Sequence, residues 1–404
     1  MPDDDSTCPG IDLLSEGVKA DPYPTYAELR EHRPVCKVSP NDAWAVTRFE
    51  DVKYVLDTPE IFSADAANKL YNAKFPGDEP PPARLIASQD PPEHGKYHSL
   101  VNKAFLDKAT AHLVPLMHET AQSLLRNFEE APTDFIKGFA YPYVGTIIER
   151  IVGLGDPAQD TGELHEWLAL EERIALPPTD DEYERAFAAA VERQNRYFTE
   201  VMEARRKHPR EDLVTHLVNA EVDDRKLTDD EICDLLRLIV SAGYVTTVPV
   251  LGSAVSLLSQ KPDLIAFLRE SPQSVPAFGE ELLRFSPSVL ATVRATTEAV
   301  TIAGVEIPAR QIVMPILASA NRDPRAFPNP DSFDLSRPRV GRHLAFGYGV
   351  HTCLGAALAR LELRIMLEEL LKTYTRIDCP PDAELTRLHT LFVRGISKLP
   401  VRLY

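Results

Sequence analysis

Ten residues, Phe346 to Gly355 (FGYGVHTCLG), constrain this chain more than any other stretch. They set one cysteine, Cys353, between a glycine-punctuated loop and LGAALARLELRIMLEELL, whose apolar spacing and freedom from Gly or Pro after Gly355 predict a helix. The unpaired N–H groups and positive dipole end of a helix N-terminus favour an anion, which lowers a thiol's pKa. Gly347, Gly349 and Gly355 have no side chain and reach positive φ, so backbone can approach the sulfur and its ligand. A zinc site closes with four ligands, and no second Cys or His pair stands nearby at zinc spacing.

A single thiolate in such a place suits haem iron, where a Cys ligand pushes electron density toward O–O cleavage. Taken alone, Cys353 reads equally as a buried, inert cysteine. The spaced residues around it separate the two readings. Phe346, Gly347, Gly349, His351, Cys353 and Gly355, with Ala357 beyond, fill F-G-x-G-x-H-x-C-x-G, which resembles the haem-binding signature of the cytochrome P-450 family. The resemblance runs from about Asp21 to the C-terminus. It implies a mostly helical cytochrome P-450 fold with a smaller β region, half or more of the residues being helical. It also implies haem b held through Cys353.

The composition agrees with that class. Hydrophobic residues at 44% and charged residues at 26% describe an ordinary globular chain with material for a core. Its 404 residues show no Gly/Ser linker, low-complexity break or internal repeat, so one large domain over 21–404 is expected behind an acidic N-terminal tail at 1–20. No apolar run approaches the ~20 residues of a bilayer span, and MPDDDSTCPG lacks the basic-then-apolar order of a signal peptide. A cytoplasmic monomer is the expectation. Five scattered cysteines imply no disulfide framework, and the net charge of −17 argues against nucleic acid and anionic membranes as partners.

Along the chain, DPYPTYAELRE reads as a short helix after a Pro-rich entry, and Trp44–Phe49 as a strand. Residues 64–90, rich in Pro and Ala, are too long for a plain connection and read as a substrate-facing loop. A helix beginning near Pro92 or Glu93 presents His94 and His98 four apart on one face. By resemblance this helix lies beside the haem, where a His and an Arg hold a propionate. His94 matches and His98 departs, which makes that contact weaker and pH-dependent. Helices follow from about Lys108 to His216.

A long helix is predicted from about Asp229 to Ser259, roughly 45 Å at ~1.5 Å per residue, amphipathic at first and apolar all round beyond Ile239. Inside it, Gly243, Thr246, Thr247 and Pro249 each weaken the helical bonding and predict a local opening. The stretch resembles the family's oxygen-binding groove, A-G-x-D/E-T-T. Ala242, Gly243, Thr246 and Thr247 match, which gives Thr246 and Gly243 catalytic roles; Val245 stands where the family has an acid that helps deliver protons.

Glu281 and Arg284 form E-x-x-R on a helix, alone an ion pair worth only ~0.2–0.5 kcal/mol. By resemblance Arg337 joins them in a buried structural network behind the Cys loop, and Arg294 with His351 holds haem propionates. A hairpin around Phe392–Gly395 is predicted to turn its tip toward substrate. The candidate pocket is Tyr71, Phe75, Leu85, Tyr244, Val245, Val289, Ala291 and Phe392, mostly apolar, and so is the expected substrate.

The function implied is haem-thiolate monooxygenation, by hydroxylation or O-demethylation, of a small, largely apolar or aromatic molecule. Two electrons come from NAD(P)H through ferredoxin reductase and ferredoxin, since no flavin or iron–sulfur domain is fused to this chain. Lys96, Lys103, Lys108, Arg339 and Arg342 form a candidate docking patch for an acidic ferredoxin, against the reading of a solvated charge run. The alternative is a tailoring enzyme of secondary metabolism doing an atypical, peroxide-driven or coupling oxidation, because of Val245. A haem-thiolate sensor would need no oxygen groove, and a phosphate-binding enzyme would need the Lys-Ser/Thr that FGYGVHTCLG lacks.

Overall fold

The computed structural model describes residues 7–39, 42–67, 86–105, 110–128, 132–154, 181–380 and 386–404. Of the described residues 58% are helical, in keeping with the expectation of half or more. Its internal contacts group into two compact units, each drawn from separate stretches of chain.

The first unit takes residues 1–95, 280–353 and 389–394. It opens with β1 (Thr7–Asp12), α1 (Glu16–Ala20), α2 (Tyr23–His32), β2 (Val35–Ser39), β3 (Ala43–Val46), α3 (Phe49–Asp57) and β4 (Phe62–Ser63). The stretch expected as a tail therefore enters a sheet from Thr7, with β1 parallel to β2. The predicted strand at Trp44–Phe49 stops at Val46, because Arg48 is already the N-cap of α3. Alternation across β2 and β3 explains the packing. Cys36, Val38, Ala43 and Ala45 face one apolar cluster, while Val35, Trp44 and Val46 face another. Cys36 is disulfide-bonded, a single bond that the scattered cysteines, with no framework in their spacing, did not signal.

The second unit takes 96–279, 354–388 and 395–404. It begins within α4 (Glu93–Phe105) and continues through α5 (Val114–Leu125), β5 (Thr133–Asp134), α6 (Tyr141–Val152), α7 (Asp181–Lys207), α8 (Leu213–Asn219), β6 (Glu221–Val222) and β7 (Arg225–Lys226). Then comes α9 (Asp229–Ser259), with the predicted bounds. Its start is fixed by a reciprocal cap. Thr228 Oγ1 accepts from the Glu231 N–H at 3.2 Å, and the Glu231 carboxylate accepts from the Thr228 N–H at 2.9 Å. By length and composition α9 could cross a membrane, contrary to the sequence expectation, yet 61% of its apolar window is buried in the protein and it packs on α6 and α7.

After α10 (Pro262–Glu270) and α11 (Val275–Phe285) the chain returns to the first unit with β8 (Arg294–Thr296), β9 (Val300–Ile302), β10 (Val305–Ile307), β11 (Ile312–Pro315) and α12 (Leu317–Ala320). The sheet order becomes β1-β2-β3-β11-β8-β4. The central strands β3 and β11 are buried at every position. The helix predicted after the Cys loop is α13 (Ala356–Thr373), followed by β12 (Ile377–Asp378), β13 (Thr386–His389), β14 (Arg394–Lys398) and β15 (Pro400–Leu403). In the second unit β15 pairs with β12 and β5.

Candidate active site

The Cys loop is built by glycine where backbone demands it. Gly347 and Gly349 both sit at φ 72°. A side chain on Gly349 would also meet the Leu56 carbonyl at 2.6 Å, so the loop rests on the end of α3. Gly355 is different. Its φ is −83° and nothing lies within 4 Å of where a Cβ would stand, so the expected close approach is absent there. The loop closes when the Cys353 N–H donates to the Phe346 carbonyl at 2.8 Å, with the Cys353 thiol exposed and in no disulfide.

Behind it lies the predicted network. Arg284 donates through Nε and Nη2 to Glu281 at 2.7 and 2.8 Å, and Arg337 Nε donates to both Glu281 oxygens at 3.1 and 3.2 Å. The remaining guanidinium donors go to the carbonyls of Asn321, Pro328, Asn329, Pro330 and Ser332. Glu281 also accepts from the Asp334 N–H. All three side chains are buried. One carboxylate thus ties a helix to the irregular segment 328–337 that leads into the Cys loop.

His94 and His351 are brought together, their rings 4.3 Å apart and edge-on. His94 is buried and His98 half-buried one turn further along α4. Arg294, on β8, is buried and donates to the Val293 carbonyl and Thr292 hydroxyl. Among the described residues it has no ion pair; burial lowers its pKa and Asp90 alone opposes this. Asp90 is the residue that sequence reasoning missed. It accepts from the Ser63 hydroxyl and, at 2.8 Å, the Ala64 N–H, while its carbonyl takes the His94 N–H. It therefore fixes the start of α4 to β4, the strand beside Arg294. An Asp before Pro91-Pro92 signals only a turn.

The α9 residues behave unevenly. The helix is unbroken through Pro249, and the predicted opening is confined to the Thr246 hydroxyl, which donates to the Ala242 carbonyl at 2.7 Å. A Cβ on Gly243 would stand 2.7 Å from Ile148 Cδ1 of α6, the far end of a side chain that can turn aside. Gly395 is held more tightly, since a Cβ there would stand 2.2 Å from Pro249 Cβ in a rigid ring. Tyr244 is 1% exposed and points to α6, not into a pocket, and Val245 is half-buried.

Of the other pocket candidates, Val289 and Phe392 come together. Leu290 donates to the Phe392 carbonyl at 2.7 Å and Val289 bridges Val393, so the turn between β13 and β14 is stitched to that segment. Ala291 is buried in the core of the first unit. Tyr71, Phe75 and Leu85 lie outside the described residues, as does Lys108; of the Lys103 side chain nothing is described. Lys96 is already engaged, paired with Asp223 at 2.8 Å. Arg339 and Arg342 are exposed, with Arg342 lying over the Phe49 ring.

The donor set suits haem. An exposed thiol on a glycine-shaped loop can ligate iron, and a buried guanidinium lacking a carboxylate, with two packed histidines, suits propionates. Comparison with known proteins agrees. Residues 163–403 match the family model "Cytochrome P450". The chain is 34% identical over 407 residues, covering 98% of both chains, to Cytochrome P450 107B1 of Saccharopolyspora erythraea. It is 37% identical over 397 residues to Nocardicin C N-oxygenase of Nocardia uniformis subsp. tsuyamanensis, covering 96% of this chain and 97% of that protein. Among solved structures, cytochrome P450 CYP109Q5 from Chondromyces apiculatus matches with a TM-score of 0.86 and 34% identity over 97% of this chain and 98% of that one. The chain belongs to the cytochrome P450 family. It is a monooxygenase, an oxidoreductase.

Proposed function

We propose that this enzyme inserts oxygen into a small, largely apolar organic molecule, with electrons delivered from NAD(P)H by ferredoxin reductase and ferredoxin in the cytoplasm. The observation that carries the reading is the exposed Cys353 thiol on its glycine-shaped loop, backed by the Glu281, Arg284 and Arg337 network. Bound haem b supplies the iron that activates dioxygen. The chain's own residues do the rest. Cys353 would donate the thiolate, and Arg294, His94 and His351 would hold the propionates with charge-assisted bonds, His98 adding a further contact. The Thr246 hydroxyl, which donates to the Ala242 carbonyl, would supply a proton donor in this reading, and Val289 with Phe392 would offer substrate an apolar wall.

Relatives act on secondary metabolites, as the names Nocardicin C N-oxygenase and Erythromycin C-12 hydroxylase say of those proteins. That kinship, with Val245 in α9, supports the second reading, an oxidative tailoring step on a natural product. The test common to both is Cys353→Ser. It keeps the fold and abolishes the red-shifted Soret band of the reduced CO complex together with oxygen-dependent turnover, because an alcohol is a poor donor to iron. Retention of either with haem loaded would reject the ligand assignment.

A further inference from the structure

The lead-in to the Cys loop lies wholly in the first unit, and three hydrogen bonds there run in one direction. The Cys353 N–H donates to the Phe346 carbonyl at 2.8 Å. The peptide group holding that carbonyl also holds the Gly347 N–H, which donates to the Leu344 carbonyl at 2.9 Å. The peptide group of Leu344 and Ala345 in turn sends its own N–H to Nδ1 of His343 at 3.2 Å. The row of donors therefore starts at the cysteine's amide and ends on an imidazole.

His343 is 6% exposed. Accepting through Nδ1 requires that nitrogen to be bare, so in the neutral ring the proton sits on Nε2. Nε2 stands 3.4 Å from Glu280 Oε2 of α11, an ion-pair distance, and has no hydrogen-bond partner among the described residues. A carboxylate in that place favours the proton on Nε2 over Nδ1, which keeps Nδ1 open to the Ala345 N–H. The backbone leaves room for the carboxylate, since a Cβ on Gly341 would stand 3.3 Å from the same oxygen. Adjacent acids of α11 thus secure successive stretches of the lead-in. Glu281 holds Arg337, and Glu280 faces His343. The Leu344 N–H is fastened separately, donating to Asn321 Oδ1 at 2.6 Å. His343 and Glu280 both lie outside F-G-x-G-x-H-x-C-x-G, so the motif does not announce them.

We propose that His343, its tautomer set by Glu280, is a positioning residue for the Cys353 ligand, acting through two successive peptide groups. The inference rests on the haem-thiolate reading above and adds a residue to it. Hydrogen bonds in a row polarise one another, so an acceptor at the far end strengthens every bond before it. Without that acceptor the Ala345 N–H loses its partner. The peptide group it belongs to is then free to turn, and with it the next one, whose Phe346 carbonyl fixes the Cys353 amide.

The experiment uses the haem-loaded protein and two substitutions that separate shape from acceptor. His343→Phe keeps a ring and removes Nδ1, whereas in His343→Asn the amide oxygen falls where Nδ1 was. In His343→Phe the share of the reduced CO complex with a red-shifted Soret band is expected to fall by about twofold or more, and haem loss to a scavenger to quicken about tenfold. His343→Asn restores both to within about twofold of the unsubstituted protein. Nitrogen NMR of the unsubstituted protein at neutral pH is expected to show Nδ1 bare and Nε2 protonated, with Glu280→Ala moving protons toward Nδ1. This measurement needs no change at residue 343, so it decides the matter even where His343→Phe does not fold. A protonated Nδ1 in the unsubstituted protein would overturn the proposal. So would a His343→Phe protein whose CO band stays fully red-shifted, or a His343→Asn protein as impaired as His343→Phe, either of which leaves His343 a packing residue. Failure of the haem-thiolate reading is seen separately, as a missing red-shifted CO band in the unsubstituted protein with its haem bound.

Discussion

The two units bury their acids in opposite ways. In the first, Glu281 is enclosed by Arg284, Arg337 and the Asp334 N–H, so its charge is matched on every side. In the second, Glu362 has a carboxyl oxygen that meets no hydrogen-bond partner among the described residues, and burial raises it well above the carboxylate range. The difference is one of charge. A carboxylate locked by two guanidiniums has nowhere to send a proton, whereas a neutral buried acid holds one that it can release.

The sharpest way to break the contrast is at Glu281. Glu281→Gln strands two buried guanidiniums and is expected to cost about 3–5 kcal/mol, read as a lower denaturation midpoint, with loss of haem retention as the Cys loop slackens. An effect under about 1 kcal/mol would mean that the carbonyls around Arg284 and Arg337 suffice.

Glu231 tests an acid between these extremes. It is buried, bonded to Arg225, Tyr97 and the Thr228 N–H, and its pKa is held well below the ordinary carboxylate range, chiefly by Arg225. A depressed acid contributes stability above its unfolded pKa and loses it as pH falls. Glu231→Gln therefore costs about 1.5–3 kcal/mol at pH 7, and the gap between variant and wild type closes in acid. A gap independent of pH would assign the effect to packing.

Glu149 carries the reverse sign. Its folded pKa, about 7, lies above the unfolded value of 4.5, so its contribution is intact below the unfolded pKa and lost as pH rises through neutrality. Glu149→Gln should gain in Tm relative to wild type between pH 5 and 8. The smallest effect is expected at Glu362→Gln, which replaces a neutral acid by a neutral amide of the same shape. Its stability should stay within about 1 kcal/mol of wild type, while Glu281→Gln does not.

The chain's local signals determined a good deal. The capping pair Thr228 and Glu231 and an uninterrupted apolar run set α9, and the spacing F-G-x-G-x-H-x-C-x-G located the thiol, because both depend on neighbours a few residues apart. E-x-x-R was legible as a pair. Its enclosure by Arg337 came only with the family resemblance. What tertiary structure decided are the contacts between segments distant in sequence. Gly349 is glycine because the Leu56 carbonyl approaches it, and Gly395 because the Pro249 ring does. Tyr244 reads as a pocket residue from its position beside Val245 and Thr246, yet it faces α6, because helix rotation is fixed by the partner helix and not by the local sequence. Asp90, Glu149 and Glu362 carry no motif. The burial that raises the two glutamates, and the sheet edge that Asp90 fastens, exist only once remote segments have packed, since desolvation is a property of the surroundings and not of the residue.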